Sequence, residues 1–366
     1  MLRTHHWAPA LVFVLVSTLS ADRPQPHFGK VVEAGHMLAP RSGHTATLLN
    51  DGRVLIVGGM VRNGEFLDSA EFYDPAKRSF TASGAHMKIK RVGQTAALLK
   101  DGRLFIVGGW TGGIATTAEI YDPKTDRFTN EIPMTVPRAR ATATTLQDGR
   151  VLVTGGARAD DRSGQKAAEI FDPATMKFTA VGDMKDGRTA HTATLLHDRT
   201  VLIAGGMSDH HSVASAEVFD PKTNKFSVVG PMRQERYKHT AQMLADGRVL
   251  IAGGSDDRDW KGMLAEAEVY DPAKRSFTPT QEMAEKRFKL SDEAALLPDG
   301  SVLIAGGAAK AEIFDPKRGS FNSLNSGTET PQWYLSETTL KNGEVLLLGG
   351  YSTSMTATDK AWIYQP

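Results

Sequence analysis

An all-β propeller of seven blades is the fold this sequence predicts, and three observations predict it. A short apolar run ending in two glycines recurs seven times: RVLIVGG at 53–59, RLFIVGG at 103–109, RVLVTGG at 150–156, TVLIAGG at 200–206, RVLIAGG at 248–254, SVLIAGG at 301–307 and EVLLLGG at 344–350. The first glycines of these pairs are 50, 47, 50, 48, 53 and 43 residues apart, a blade period rather than a helical-repeat period. Six copies then carry a second signature, from AEFYDP at 70–75 to AEIFDP at 311–316.

Each period reads as four strands. The first is an alternating run such as HTATLL at 44–49 or QTAALL at 94–99, followed by a turn such as Asp51-Gly52. The double-glycine run is the second strand. After a loop of varying length, the Glu-bearing run and its Asp-Pro turn form the third. Phe80, Phe128, Phe178, Phe226, Phe277 and Phe321 mark the fourth. Strands of alternating polarity let each sheet pack against both neighbours.

The seventh copy ends at AWIYQP, 361–366, without a fourth strand. Its counterpart is at the other end of the chain, where FGKVVEAGHM at 28–37 matches FTAVGDM at 178–184 and FSVVGPM at 226–232. The expectation is a ring whose last blade borrows its outer strand from the N-terminus, leaving no open edge. Residues 22–366 are expected to form that single propeller. Residues 1–21 stand outside the pattern: Arg3, two histidines, an apolar stretch from Ala8 to Val16, then small residues to Ala21. They read as a secretory signal peptide, implying a secreted or periplasmic protein. The apolar stretch is too short to span a bilayer.

Composition narrows the function. With Arg3 removed, 43 basic residues become 42, against 42 acidic, a balance that argues against nucleic acid as a partner. The absence of cysteine excludes disulfides, thiolate nucleophiles and zinc–thiolate sites.

The double glycines, the Tyr/Phe-Asp-Pro turns and the following aromatics resemble kelch-repeat proteins, the family of the central domain of galactose oxidase, over about 28–366. The Trp-Asp type of propeller does not match, because none of the five tryptophans precedes an aspartate. The resemblance implies the fold and leaves the function open between binding modules, oxidases, sugar epimerases and specifier proteins. Galactose oxidase's copper radical needs a tyrosine cross-linked to a cysteine, which this chain lacks, and no cofactor is expected. The closely spaced Glu, Asp and His of the plant specifier proteins are absent as well. A non-catalytic module for a protein or carbohydrate partner, itself monomeric, is the leading expectation. A sugar-active enzyme of epimerase or lyase type is the alternative.

Geometry places any site on the face shared by the segments before the first strands and the loops after the double glycines. There, Arg41, Arg91, Arg138, Arg188 and Arg236 share one register, continued by Lys289 in copy six and Gln332 in copy seven. Two readings are open. The arginines form a cationic ring for an anion, or each pairs with the Glu of a third strand, namely Glu71, Glu119, Glu169, Glu217, Glu268 or Glu312. Pairing accounts for copy seven, which has Gln332 and Trp362 and so loses both charges together. Three residues further on are His44, Gln94, Ala141, His191, His239, Asp292 and Leu335, a possible source of metal ligands or bases. Asp256-Asp257-Arg258-Asp259 suggests a hard cation but lacks a calcium loop's glycine.

Breaks in the repeat point to function more directly. The loop after the double glycine has only three residues in copy six and twelve in copy five. Around that gap gather Trp260, Trp333, Tyr334 and Tyr351, suited to stacking on a sugar or peptide. Trp110 follows the second double glycine and is a further binding candidate, with Arg41, Arg138 and Arg236. Asp292, Glu293 and Glu337 are the candidate acids and bases.

Overall fold

The computed structural model describes residues 29–290 and 294–366. The expected leader falls outside them, as do Asp292 and Glu293. Among the described residues seven antiparallel blade sheets succeed one another along the chain, with one small hairpin, Met207–Ser208 with His211–Ser212, in the loop of blade 4. Blade 1 is typical, with strands Thr45–Leu48, Val54–Val57, Glu65–Asp74 and Ser79–Arg91. Its second strand is sealed on both faces. Leu55 and Val57 pack with Leu104, Ile106 and Tyr121 of blade 2, while Val54 and Ile56 pack with Leu346, Leu348 and Ile363 of blade 7. Alternation along one strand thus feeds two separate cores, and the hydrophobic stabilisation lies between blades. The fourth-strand phenylalanines repeat one contact, with ring centres 4.9–5.0 Å from the aromatic of the third strand, as in Tyr73–Phe80 and Phe314–Phe321.

The ring closes as the sequence predicts. Strand Lys30–His36 pairs antiparallel with Lys360–Gln365, setting Val31 opposite Tyr364 and Glu33 opposite Trp362. A bulge between Glu33 and Gly35 bends the strand, and Gly35 meets it with φ +108°. Trp362 is buried in the core between blades 6 and 7.

The double glycines join neighbouring blades through the backbone. Gly59 donates its N–H to Arg91 O at 2.8 Å, and Gly350 donates to Arg41 O at 2.8 Å. A Cβ on Gly59, at φ +93°, would lie 2.9 Å from Ser42 O, so no other residue fits.

One register assignment is corrected. Copy six carries Arg287, not Lys289, at the arginine position: Arg287 donates to Gly306 O at 2.8 Å and to Glu312 Oε1 at 3.0 Å. That arginine and its glycine are 19 residues apart in copy six and 17 in the other five. Two additional residues, falling between Leu290 and Ala294, displaced the alignment. Among the described residues no helix is long and apolar enough to cross a membrane.

Candidate functional site

Six arginines and six glutamates of the loop face are consumed by the scaffold. Arg41–Glu71, Arg91–Glu119, Arg138–Glu169, Arg188–Glu217, Arg236–Glu268 and Arg287–Glu312 are ion pairs of 2.8–3.3 Å, with every side chain at most 3% exposed. Each arginine also donates to its blade's first glycine carbonyl, as Arg41 does to Gly58 O at 2.8 Å. Each glutamate also accepts a backbone N–H from the segment entering the blade, as Glu71 does from Leu38 at 2.7 Å. The structure places Arg41, Arg138 and Arg236 inside the blades. Without its partner, each would be a stranded buried charge.

The three histidines join inner strands. His44 Nε2 lies 2.9 Å from Ser336 Oγ, His191 Nε2 2.9 Å from Thr154 Oγ1, and His239 Nε2 3.1 Å from Thr192 Oγ1, each partner being in the preceding blade. Gln94 does the same in blade 2, donating to Val57 O at 2.9 Å. Burial, helped by neighbouring arginines, lowers the pKa of His44 and His191 to about 3. His239 is held well below its ordinary value for the same reasons. All three are neutral at physiological pH. The acidic run is equally occupied: Asp256 binds Arg258, Asp257 accepts from Ser212 N–H, and Asp259 accepts from Tyr237 Oη–H at 2.7 Å.

Functional chemistry appears two residues past the arginine register. The residues there are Gly43, Gly93, Arg140, Ala190, Lys238, Lys289 and Tyr334, all with φ between +50° and +62°. Their backbones form a girdle around the axis. Gly93 N–H donates to Gly43 O at 2.9 Å, Arg140 to Gly93 O at 3.1 Å, Ala190 to Arg140 O at 3.1 Å, Lys238 to Ala190 O at 2.9 Å and Tyr334 to Lys289 O at 2.8 Å. At blade 6, Leu290 N–H takes the bond to Lys238 O, at 3.2 Å. Glycine suits this conformation, and a side chain there costs roughly 1–2 kcal/mol. Three of the five side chains present are cations. Left-handed non-glycine residues also recur at the turn after the third strand, at Arg78, Asp126, Met176, Asn224 and Arg275, so it is the charge of the girdle side chains that sets this ring apart.

The cations converge at the mouth. Arg140 Nε donates to Asp161 Oδ1 at 2.9 Å, and its guanidinium stacks 4.6 Å from the Tyr334 ring centre. Lys238 Nζ is 3.8 Å from Asp161 Oδ2 and lies 5.0 and 5.5 Å from the rings of Tyr237 and Phe288. Lys289 Nζ donates to Tyr351 Oη at 2.8 Å and sits 4.0 Å from the Trp260 ring centre. Burial, followed by Arg140, lowers the Lys238 amine to about 7 against the pull of Asp161. Burial also brings Lys289 down to about 8. Burial would raise Asp161, but Arg140 and Lys238 outweigh it and hold the carboxyl at about 2.

The aromatic candidates surround this cluster. Trp260 is 41% exposed and packs edge-on to Trp333 at 4.6 Å. Trp333 and Tyr351 are buried, 5.8 Å apart between ring centres. Trp333 Nε1 and Tyr334 Oη are buried without hydrogen-bond partners among the described residues. Trp110 is half-buried on the loop of blade 2, its backbone bridged to Val92 and Ile114.

Below the girdle is a cavity of about 210 Å³ lined by Arg140, Lys238, Tyr334 and Glu337 among others. It leads into a channel walled by the first strands of all seven blades. Glu337 Oε1 accepts the N–H groups of Ala305 and Gly306 at 2.9 and 3.0 Å, while Oε2 has no partner among the described residues. Burial raises this carboxyl to about 7 despite those two donors. Sequence reasoning reached Trp260, Trp333, Tyr334, Tyr351 and Glu337. It missed Arg140, Lys238 and Asp161, although glycine at this register in copies one and two, and its replacement in the other five, was the available signal.

Comparison with known proteins agrees with this architecture. The kelch motif matches residues 92–135 and 188–233. No curated protein matches the chain. Among solved structures, a fungal alcohol oxidase of the AA5 family in complex with copper superposes with a TM-score of 0.72 at 17% identity, over 93% of this chain and 76% of that one. The donors here do not fit copper of that kind. The chain has no cysteine, its ring histidines are bound to strand hydroxyls in blades 1, 4 and 5, and the described residues contain no cluster of three His, Asp or Glu able to hold a metal. Fold, repeat and motif agree: the chain is a seven-bladed β-propeller that carries kelch motifs.

Proposed function

We propose that the protein is an exported binding module that takes an anionic group of a glycan or protein partner at the axial mouth of its loop face. The observation that carries this is the convergence of Arg140, Lys238 and Lys289 on one opening, with Asp161 the only carboxylate bonded to that trio among the described residues. Trp260 offers an exposed face beside them for a sugar ring or aromatic side chain.

The test is thermal stability with acidic sugars, acidic peptides and matched neutral sugars. A ligand at 100 times its dissociation constant adds about 2.7 kcal/mol. The expected result is a shift with acidic compounds only, lost in Arg140→Ala. Equal shifts with neutral sugars, or an unchanged response in Arg140→Ala, would overturn the proposal. The enzyme reading is favoured by one observation, the raised carboxyl of Glu337 in the same cavity. Turnover of a bound acidic sugar, abolished in Glu337→Gln, would establish it.

A further inference from the structure

The amine of Lys238 stands apart from the other cations of the mouth. Arg140 has a hydrogen-bonded carboxylate and Lys289 a hydrogen-bonded phenol. Lys238 Nζ makes no hydrogen bond among the described residues, its ion-pair partner Asp161 being 3.8 Å away. The side chain is 8% exposed, enclosed by the rings of Tyr237 and Phe288, and borders the cavity below the girdle. Its backbone is fixed at φ +51° by the bond to Ala190 O. A desolvated lysine beside other cations, with its lone pair uncommitted, is the arrangement of an amine nucleophile.

We propose that Lys238 is a carbonyl-reactive amine that forms an imine with a small oxo acid held in the mouth. This rests on the anion-binding reading, because Arg140 and Lys289 are the groups that would hold the acid's carboxylate. The Nζ lone pair attacks the carbonyl carbon and the C=O π pair moves onto oxygen. One amine proton and one further proton join that oxygen, the C–O bond breaks, and water departs, leaving a protonated imine. Glu337 lines the same cavity and is a carboxyl able to carry the second proton. The groups that set the state of Lys238 are Arg140, Asp161, Lys289 and Asp259, and an amine near 7 is substantially unprotonated at neutral pH.

The experiment treats the protein at pH 7 with pyruvate and cyanoborohydride, which fixes an imine as a secondary amine, and maps the labelled lysines by mass spectrometry. Lys77 and Lys274, which are 77% and 75% exposed, are internal controls. The free-amine fraction of Lys238 exceeds that of an ordinary lysine by about 10³, and the expected labelling rate is at least roughly 30-fold above the controls after lower basicity is allowed for. Its rate should level off above pH 7 to 8, while that of the controls keeps rising. Labelling of Lys238 no faster than Lys77 overturns the proposal. A thermal shift with pyruvate but no labelling rejects the imine and leaves the anion site standing. Selective labelling by glycolaldehyde, with none by pyruvate, keeps the reactive amine and rejects the anion site. Lys238→Arg keeps a long basic side chain without a nucleophilic amine and should abolish labelling at this position without altering the controls.

Discussion

Arg138 and Arg140 stand two residues apart and are committed to opposite tasks. Arg138 Nε donates to Glu169 Oε1 at 2.8 Å inside blade 3, with both side chains sealed from water, whereas Arg140 Nε donates to Asp161 Oδ1 at 2.9 Å at the mouth. Arg138→Ala should therefore strand Glu169 and cost about 3–5 kcal/mol, while Arg140→Ala, which leaves Asp161 beside Lys238, should cost less and abolish the response to acidic ligands. Melting curves of both variants, with and without ligand, check the contrast.

Acid should destabilise the ring through its histidines. The pKa values of His44 and His191 are depressed to about 3 in the folded protein, so their contribution is complete above the unfolded value of about 6.5 and is lost as pH falls toward 3. Each histidine adds a slope of up to about 1.4 kcal/mol per pH unit in that window. His191→Gln, which places in blade 4 the residue blade 2 already uses, should flatten the dependence of melting temperature on pH between 6.5 and 4.

Glu337 has the opposite sign. Its carboxyl is raised from 4.5 to about 7, so its stabilisation is full below 4.5 and disappears as pH rises through 7. The melting temperature of Glu337→Gln relative to the parent should therefore rise from pH 4.5 to 7 and level off above. A difference that stays constant across that interval would count against a raised carboxyl.

The girdle stores backbone strain that can be relieved or added one residue at a time. Ala190, at φ +50°, carries no ligand-binding chemistry. Ala190→Gly should stabilise by about 0.5 kcal/mol, the relief of a left-handed alanine less the entropy of glycine. Gly93→Ala, where a Cβ meets nothing closer than 3.7 Å, should cost about 1 kcal/mol from conformation alone. Chemical denaturation of both variants measures the pair.

The blades were legible because scaffold requirements recur. Gly59 and its equivalents must be glycine against the neighbouring carbonyl, and Glu71 must recur wherever Arg41 does. The mouth was harder to read because its residues differ from blade to blade by necessity: a single ligand on a seven-fold axis needs unlike groups. Arg140 and Lys238 were not singled out in the sequence, and it is their φ values and the blade-to-blade bonds that put them on the axis. Lys289 was misassigned because two extra residues in copy six moved an arginine off the common spacing.

The pairing of Lys30–His36 with Lys360–Gln365 also governs the order of assembly. Lys30–His36 is made long before its partner, so the circle cannot form until Lys360–Gln365 has been made. Six blades must wait with an unpaired edge at blade 7, and loop closure across nearly the whole chain is left to the end. Closure is thereby coupled to that strand: a chain cut before Lys360 keeps a sticky edge and is exposed to aggregation or proteolysis.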